Sequence, residues 1–287
     1  MKPRFSIRRC LRYSPGREVL TRYRHMAVQD SDVFLAAYPK SGLTWLRNML
    51  AAYFLGDVEN WLSDIQRVSR YVGRHRSLKS FIPGGGRLIK THEPYRGEYQ
   101  KAILLLRDGR DIAVSEYHYR KKYRRDNDYR GVSFSQFLEM FLAGKTNGYG
   151  SWDSHVRSWM NSPIKQSSSQ LVLTYESLKT DSFGEFGRVL DFLGVASDPK
   201  RVRAVVELSS VNRMRSAESK CKGSVSSSGS ETCSFIRKGE PGRWRDSFSK
   251  EDNEKFLAKS SDLLVELGYE LYQFEDSCRA SGGELLA

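Results

Sequence analysis

The segment Val33-Phe34-Leu35-Ala36-Ala37-Tyr38-Pro39-Lys40-Ser41-Gly42-Leu43-Thr44-Trp45-Leu46-Arg47 constrains the fold more than any other. An apolar run of strand length enters a short turn built from Pro, Lys, Ser and Gly. A helical pattern starts at once, with Leu46, Met49, Leu50, Tyr53 and Phe54 spaced to share one face. The N–H groups of a helix's first turn have no partner within the helix, so such a turn favours an anion. Lys40 adds a full charge, and Ser41 and Thr44 add hydroxyl donors. Taken alone, Pro-Lys-Ser-Gly reads equally as an ordinary turn. Its placement between a core strand and a helix marks it as a phosphate cradle. Lys precedes Gly and no leading Gly is present, which argues against the common ATPase or GTPase loop.

The rest of the chain repeats the strand-then-helix pattern. Gly56-Asp57 ends the first helix, and residues 59–82 read as short helices and loop. Pro83-Gly84-Gly85-Gly86 is a turn that releases a short strand, Arg87 to His92. Lys101-Ala102-Ile103-Leu104-Leu105-Leu106 is apolar without alternation, as in a parallel sheet covered on both faces. It ends in Arg107-Asp108-Gly109-Arg110-Asp111, with a helix expected from about Asp111. Residues 119–131 read as a charge-rich excursion, and helices are expected around Phe134–Leu142 and Trp152–Trp159. Leu171–Tyr175 is a further core strand, Phe183–Leu193 a helix closed by Gly194, and residues 216–232 a Ser-rich mobile loop. Ser249 and Asp252 form a capping box before a last helix. The expected fold is a single α/β domain, a central parallel sheet flanked by helices with a P-loop-like strand-loop-helix. Ligands on such sheets sit beyond the carboxyl ends of the strands. The polar clusters at Lys40, Lys90-Thr91-His92 and Arg107 fall there.

The chain of 287 residues carries a formal net charge of +13, which suits a polyanionic ligand: nucleotide, nucleic acid, sulfated glycan or acidic lipid. Its four cysteines, at 10, 221, 233 and 278, form no CxxC pair and no metal spacing. Free thiols in a reducing, cytoplasmic compartment are expected, with a Cys221–Cys233 pair as the other option. No apolar run of about 18 residues occurs, so no membrane insertion is expected. The N-terminus lacks the apolar stretch of a secretory signal.

Four motifs in order carry a resemblance to a known family. Tyr38-Pro39-Lys40-Ser41-Gly42-Leu43-Thr44-Trp45 resembles the 5′-phosphosulfate loop of soluble sulfotransferases, which use 3′-phosphoadenosine 5′-phosphosulfate (PAPS). Lys90-Thr91-His92 resembles the strand end that carries the family's catalytic His. The stretch from Leu106 to Ser115 resembles its 3′-phosphate motif, an Arg and a Ser eight residues apart. Arg237-Lys238-Gly239-Glu240-Pro241-Gly242-Arg243-Trp244 resembles its C-terminal Arg-Lys-Gly-x-x-Gly-x-Trp loop. The resemblance spans roughly residues 33–256; residues 1–30 read as a basic N-terminal arm and 276–287 as a flexible tail, which leaves the sulfotransferase domain over 31–275.

It also implies roles. Lys40 would meet the leaving-group oxygen, and Ser41, Gly42 and Thr44 would hold the 5′-phosphate. Leu43 stands where the family usually has Thr or Asn. Trp45 would pack on adenine, with a core position in the helix as the alternative. Thr44 reads equally as that helix's cap. His92, one of five histidines and placed at a core strand end beside an anion site, would be the general base. Lys90 lies on the same side of the strand and would neutralise the transferring group. Arg107 and Ser115 would clamp the 3′-phosphate. Arg110 and Asp111 read as a structural pair or cap. Tyr175 resembles an adenine-side Tyr, Ser209 or Ser210 an adenine-side Ser, and Met214 a nearby pocket position. Arg237, Lys238 and Gly239 would close over the 3′-phosphate. Arg245, Ser249-Lys250 and Glu254 match the family's dimer pattern poorly, which leaves a homo-oligomer open.

The implied reaction uses PAPS as donor, leaves 3′-phosphoadenosine 5′-phosphate (PAP) and needs no metal. The acceptor is a hydroxyl, less readily an amine, of a small molecule or saccharide. Two rivals differ in class. A nucleotide-dependent phosphotransferase needs a Walker-type loop and a Mg²⁺-binding acid, neither of which stands out. A basic module for nucleic acid or sulfated glycan needs no His92.

Overall fold

The structure is a computed structural model that describes residues 16–56, 61–123, 129, 131–220 and 239–274. Five strands, β1 (Val33–Ala36), β2 (Ser69–Tyr71), β3 (Leu88–Thr91), β4 (Lys101–Leu106) and β5 (Gln170–Thr174), form one parallel sheet. Their order is β2-β3-β1-β4-β5. From β1 the chain goes to the edge strand β2 and returns to β3 beside β1, then crosses to the other side for β4 and β5. The order reverses at β1, where the crevice at the strands' carboxyl ends opens.

Side chains alternate between two cores. Val33 and Leu35 of β1 join Ile103 and Leu105 of β4 under the helix Leu43–Leu55. Phe34 and Ala36 join Ala102, Leu104 and Leu106 on the other face, packed by Phe137, Trp152, Trp159 and Phe256. Both faces are covered, which is why these strands read as unbroken apolar runs. Asp32 fixes the start of β3 against β1: it accepts from Arg87 Nε (2.8 Å) and from the Arg87 backbone N–H (3.1 Å).

Several sequence expectations shift. The arm is helical over Gly16–His25, with Thr21 and His25 buried and His25 Nε2 2.6 Å from the Tyr99 hydroxyl. Residues 59–82 contain β2, an edge strand too short and too polar to show a pattern. The helix expected from Asp111 runs Gly109–Tyr123, so Tyr119 belongs to it and not to a loop. The helix Val211–Lys220 takes in the first part of the stretch read as a mobile loop. The capping box at Ser249 and Asp252 is present. Residues 1–15, 221–238 and the tail 276–287 lie outside the described residues, and with them all four cysteines.

Candidate active site

The turn after β1 holds an unusual backbone. Lys40 has φ +76° and Gly42 φ +93°. A lysine in the left-handed region is strained, and such strain collects at ligand-binding turns. Gly42 is required on a second ground: a Cβ there would lie 2.5 Å from Tyr175 Cδ2. Gly42 is also the N-cap of the helix Leu43–Leu55 and supplies no side-chain cap. Thr44 is therefore inside the helix rather than capping it; the Trp45 N–H donates to the Gly42 carbonyl at 2.8 Å, and no N-cap side chain meets the Leu43 and Thr44 N–H groups.

That cleft, of about 270 Å³, opens at the strand ends. It brings together Lys40, Gly42, Leu43, Thr44 and Trp45 from the cradle, Lys90 from β3 and His92 just beyond its end. Arg107, Ser115, Tyr175, Met214 and Gly239 complete the set foreseen from the sequence. Ser41 and Ser209 do not line it. Ser209 is buried, its hydroxyl accepts from Asn48 Nδ2 (3.1 Å), and its carbonyl accepts from Trp45 Nε1 (2.9 Å). The serine thus positions Trp45 instead of facing a ligand. Arg237 and Lys238 lie outside the described residues.

Sequence reasoning missed Tyr71, Asp111, Tyr119 and Arg243, all of which line the cleft. Asp111, Ser115 and Tyr119 are spaced four apart on one helix, so the helical period held the signal. Arg110 does not pair with Asp111. It pairs with Asp108 at 2.8 Å, with its guanidinium 4.0 Å from the Trp244 ring centroid. Asp111 instead accepts from the backbone N–H groups of Gly242 (2.8 Å) and Trp244 (3.0 Å), and lies 3.5 Å from Arg107 Nη2. It ties the 239–244 loop to the cleft. Burial pushes its carboxyl above the usual range, against the pull of Arg107.

His92 donates from Nδ1 to the Ala37 carbonyl at 2.6 Å. A carbonyl only accepts, so the proton sits on Nδ1 and the Nε2 lone pair is left for the cleft. Burial first, then the Lys90 charge, hold the imidazole well below its ordinary value of 6.5, so it is neutral at pH 7. Burial, Arg47 and Lys40 likewise hold Lys90 well below 10.5.

The cations exceed the acids in the cleft wall, and the residues present fit a polyanionic nucleotide. Arg107, which lines the cleft, keeps a buried Nε–H without a hydrogen-bond partner; Ser41 Oγ is also unpartnered but sits behind the cradle, off the cleft wall. A buried donor left unmet costs about 1–3 kcal/mol, a cost that phosphate oxygens would remove. Beside Arg107, whose guanidinium lies 4.3 Å from the Tyr175 ring centroid, Trp45 and Tyr175 meet edge-to-face at 5.7 Å with Met214 nearby. This is an apolar slot suited to a flat ring. Tyr175 also donates to the Gly239 carbonyl at 2.7 Å. Among the described residues, no group of three His, Cys, Asp or Glu side chains could hold a metal ion, and no helix is long and apolar enough to cross a membrane.

A helix-flanked parallel sheet with a cationic cleft at its switch point defines an α/β enzyme that handles an anionic, nucleotide-like ligand. The comparison with known proteins narrows the class. The chain belongs to the sulfotransferase family, whose sulfotransferase domain matches residues 30–264. It is 27% identical over 273 residues to human sulfotransferase 2A1, covering 90% of this chain and 93% of that protein. It is 29% identical over 265 residues to dog sulfotransferase 1A1, covering 84% and 86%. In fold it is similar to mouse sulfotransferase SULT7A1 complexed with PAP, with a TM-score of 0.64 and 23% identity over 88% of this chain and 91% of that one. Retinol dehydratase in complex with retinol and PAP gives 0.63 and 22%, covering 86% of each chain.

Proposed function

We propose that this protein transfers a sulfuryl group from PAPS to a hydroxyl, less readily an amine, of a small-molecule or saccharide acceptor, with His92 as general base. The observation that carries the reading is the His92 tautomer, with Nδ1–H committed to Ala37 and Nε2 left as a lone pair beside a cationic cradle. PAPS supplies an activated sulfuryl group and a phosphate leaving group, and PAP is the product. The presence of PAP in complexes of fold relatives supports the choice of nucleotide.

His92 Nε2 takes the acceptor's hydroxyl proton as the new oxygen–sulfur bond forms. Lys40 and the first-turn N–H groups meet the negative charge that grows on the departing 5′-phosphate oxygen as the old bond breaks. Lys90, two residues before His92 on the same face, neutralises charge on the oxygens in transit. Arg107 and Ser115 hold the 3′-phosphate, and Trp45, Tyr175 and Met214 hold adenine. The family resemblance assigns Gly239 to the 3′-phosphate as well, together with Arg237 and Lys238, which lie outside the described residues.

The test compares sulfuryl transfer to a panel of phenols, aliphatic alcohols and sugars from PAPS and from adenosine 5′-phosphosulfate, which lacks the 3′-phosphate. Turnover with PAPS, and a loss of roughly 10²-fold or more in kcat/KM with the truncated donor, are expected for a site that clamps a second phosphate with charge-assisted bonds. Equal use of both donors would contradict the assignment of Arg107 and Ser115.

A further inference from the structure

We propose that Tyr71, anchored through Arg47, is a positioning residue for Lys90: its hydroxyl holds the lysine ammonium in the cleft wall beside His92. The inference rests on the donor-site reading above and adds a part to it. Tyr71 is the register partner of Lys90 in the parallel β2–β3 pair, so the two side chains share a sheet face. Lys90 Nζ donates to the Tyr71 hydroxyl at 2.7 Å and lies 4.2 Å from the ring centroid. The same ring meets the His92 imidazole at 6.3 Å, edge to face.

Arg47 explains why a three-residue edge strand holds that tyrosine in place. Its guanidinium is buried, donates from Nε to Ser69 Oγ (3.2 Å) and from Nη2 to the Ser69 carbonyl, and lies 5.9 Å from the Tyr71 ring centroid. Among the described residues no carboxylate pairs with Arg47 or with Lys90. A buried guanidinium without a counter-ion is costly, and here it fixes the strand that carries Tyr71.

The charged and titratable groups around Lys90 are Lys40 from the cradle, Arg47 from its helix, Tyr71 from β2 and His92 just beyond the end of its own strand, with Tyr119 and Arg74 acting on Tyr71. The cations all disfavour the ammonium, whereas the Tyr71 hydroxyl accepts from Lys90 Nζ a bond that is stronger when the lysine is charged. Removing that hydroxyl disfavours the ammonium further, so Lys90 would lose its proton at lower pH. If transfer needs Lys90 charged, the alkaline limb of the kcat profile moves down.

The experiment measures kcat against pH with PAPS for the wild type, Tyr71→Phe, Lys90→Met and the double variant, with PAP affinity titrated on each. Tyr71→Phe is expected to lower kcat about tenfold, the scale of one hydrogen bond to a charged group. Its alkaline limb is expected to move down by about one pH unit, with PAP affinity unchanged. In the Lys90→Met background the same substitution should cost nothing more, because the two residues act as one unit. An unmoved limb, penalties that multiply in the double variant, or a loss of PAP affinity in Tyr71→Phe would each overturn the inference. A wild type that fails to bind PAP would overturn the donor-site reading, and this inference with it.

Discussion

Replacing His92 by Ala lowers turnover by roughly two to four orders of magnitude while PAP still binds, the range that loss of a general base produces. The imidazole of the proposed general base already has one ring nitrogen committed. Its Nδ1–H is spent on the Ala37 carbonyl, 2.6 Å away, which fixes both tautomer and ring plane. Burial and the Lys90 charge then keep the ring unprotonated below its ordinary value of 6.5. Activity that requires neutral His92 therefore persists as pH falls through 6.5 and is lost only at lower pH, where the depressed imidazole at last takes a proton. Steady-state kinetics and PAP titration on the same variant check both halves. A loss of PAP affinity as large as the loss of turnover would make His92 a binding residue instead.

Replacing Lys40 by Met carries the next largest effect, a fall in kcat of roughly 10²–10³-fold, the scale of removing one preorganised charge from a developing oxyanion. Lys40 occupies a strained turn with φ +76°, and its backbone carbonyl lies 3.4 Å from Arg107 Nη1. Its ammonium rests 4.4 Å from the Tyr119 ring centroid. That geometry places the charge in the cleft wall, where it acts on Lys90. Because the charge is needed most as the phosphate oxygen departs, kcat falls further than PAP affinity does. A variant whose whole deficit lay in PAP affinity would assign Lys40 to ground-state binding only.

The strand-loop-helix, the parallel sheet and most of the cleft were legible because the chemistry sits where strands end. Apolar runs that stop before Lys40 and Arg107, and a short strand that leads to His92, declare both the core and the site. β2 was not legible: Ser69, Arg70 and Tyr71 form an edge strand of three residues with no alternation to detect, and Tyr71 was lost with it. Tyr119 was hidden by the charged residues that follow, although its spacing from Ser115 is helical. The Asp108–Arg110 pair displaced the expected Arg110–Asp111 contact because Asp108 also accepts from the Arg110 backbone N–H at 2.9 Å, closing a local turn. Asp111 was thereby left for Gly242 and Trp244. Ser209 could not be separated from a ligand-facing serine by sequence, since only the packed fold brings Asn48 to it.

The most direct test of a 3′-phosphonucleotide site is calorimetric titration of the wild type and Arg107→Ala with PAP, beside AMP and ATP. The wild type is expected to bind PAP and to discriminate against both nucleotides that lack the 3′-phosphate. Arg107→Ala is expected to lose that preference, with a penalty of roughly 10-fold or more for one charge-assisted contact. Equal affinity for PAP and AMP in the wild type, or an unchanged preference in the variant, would contradict a 3′-phosphonucleotide site.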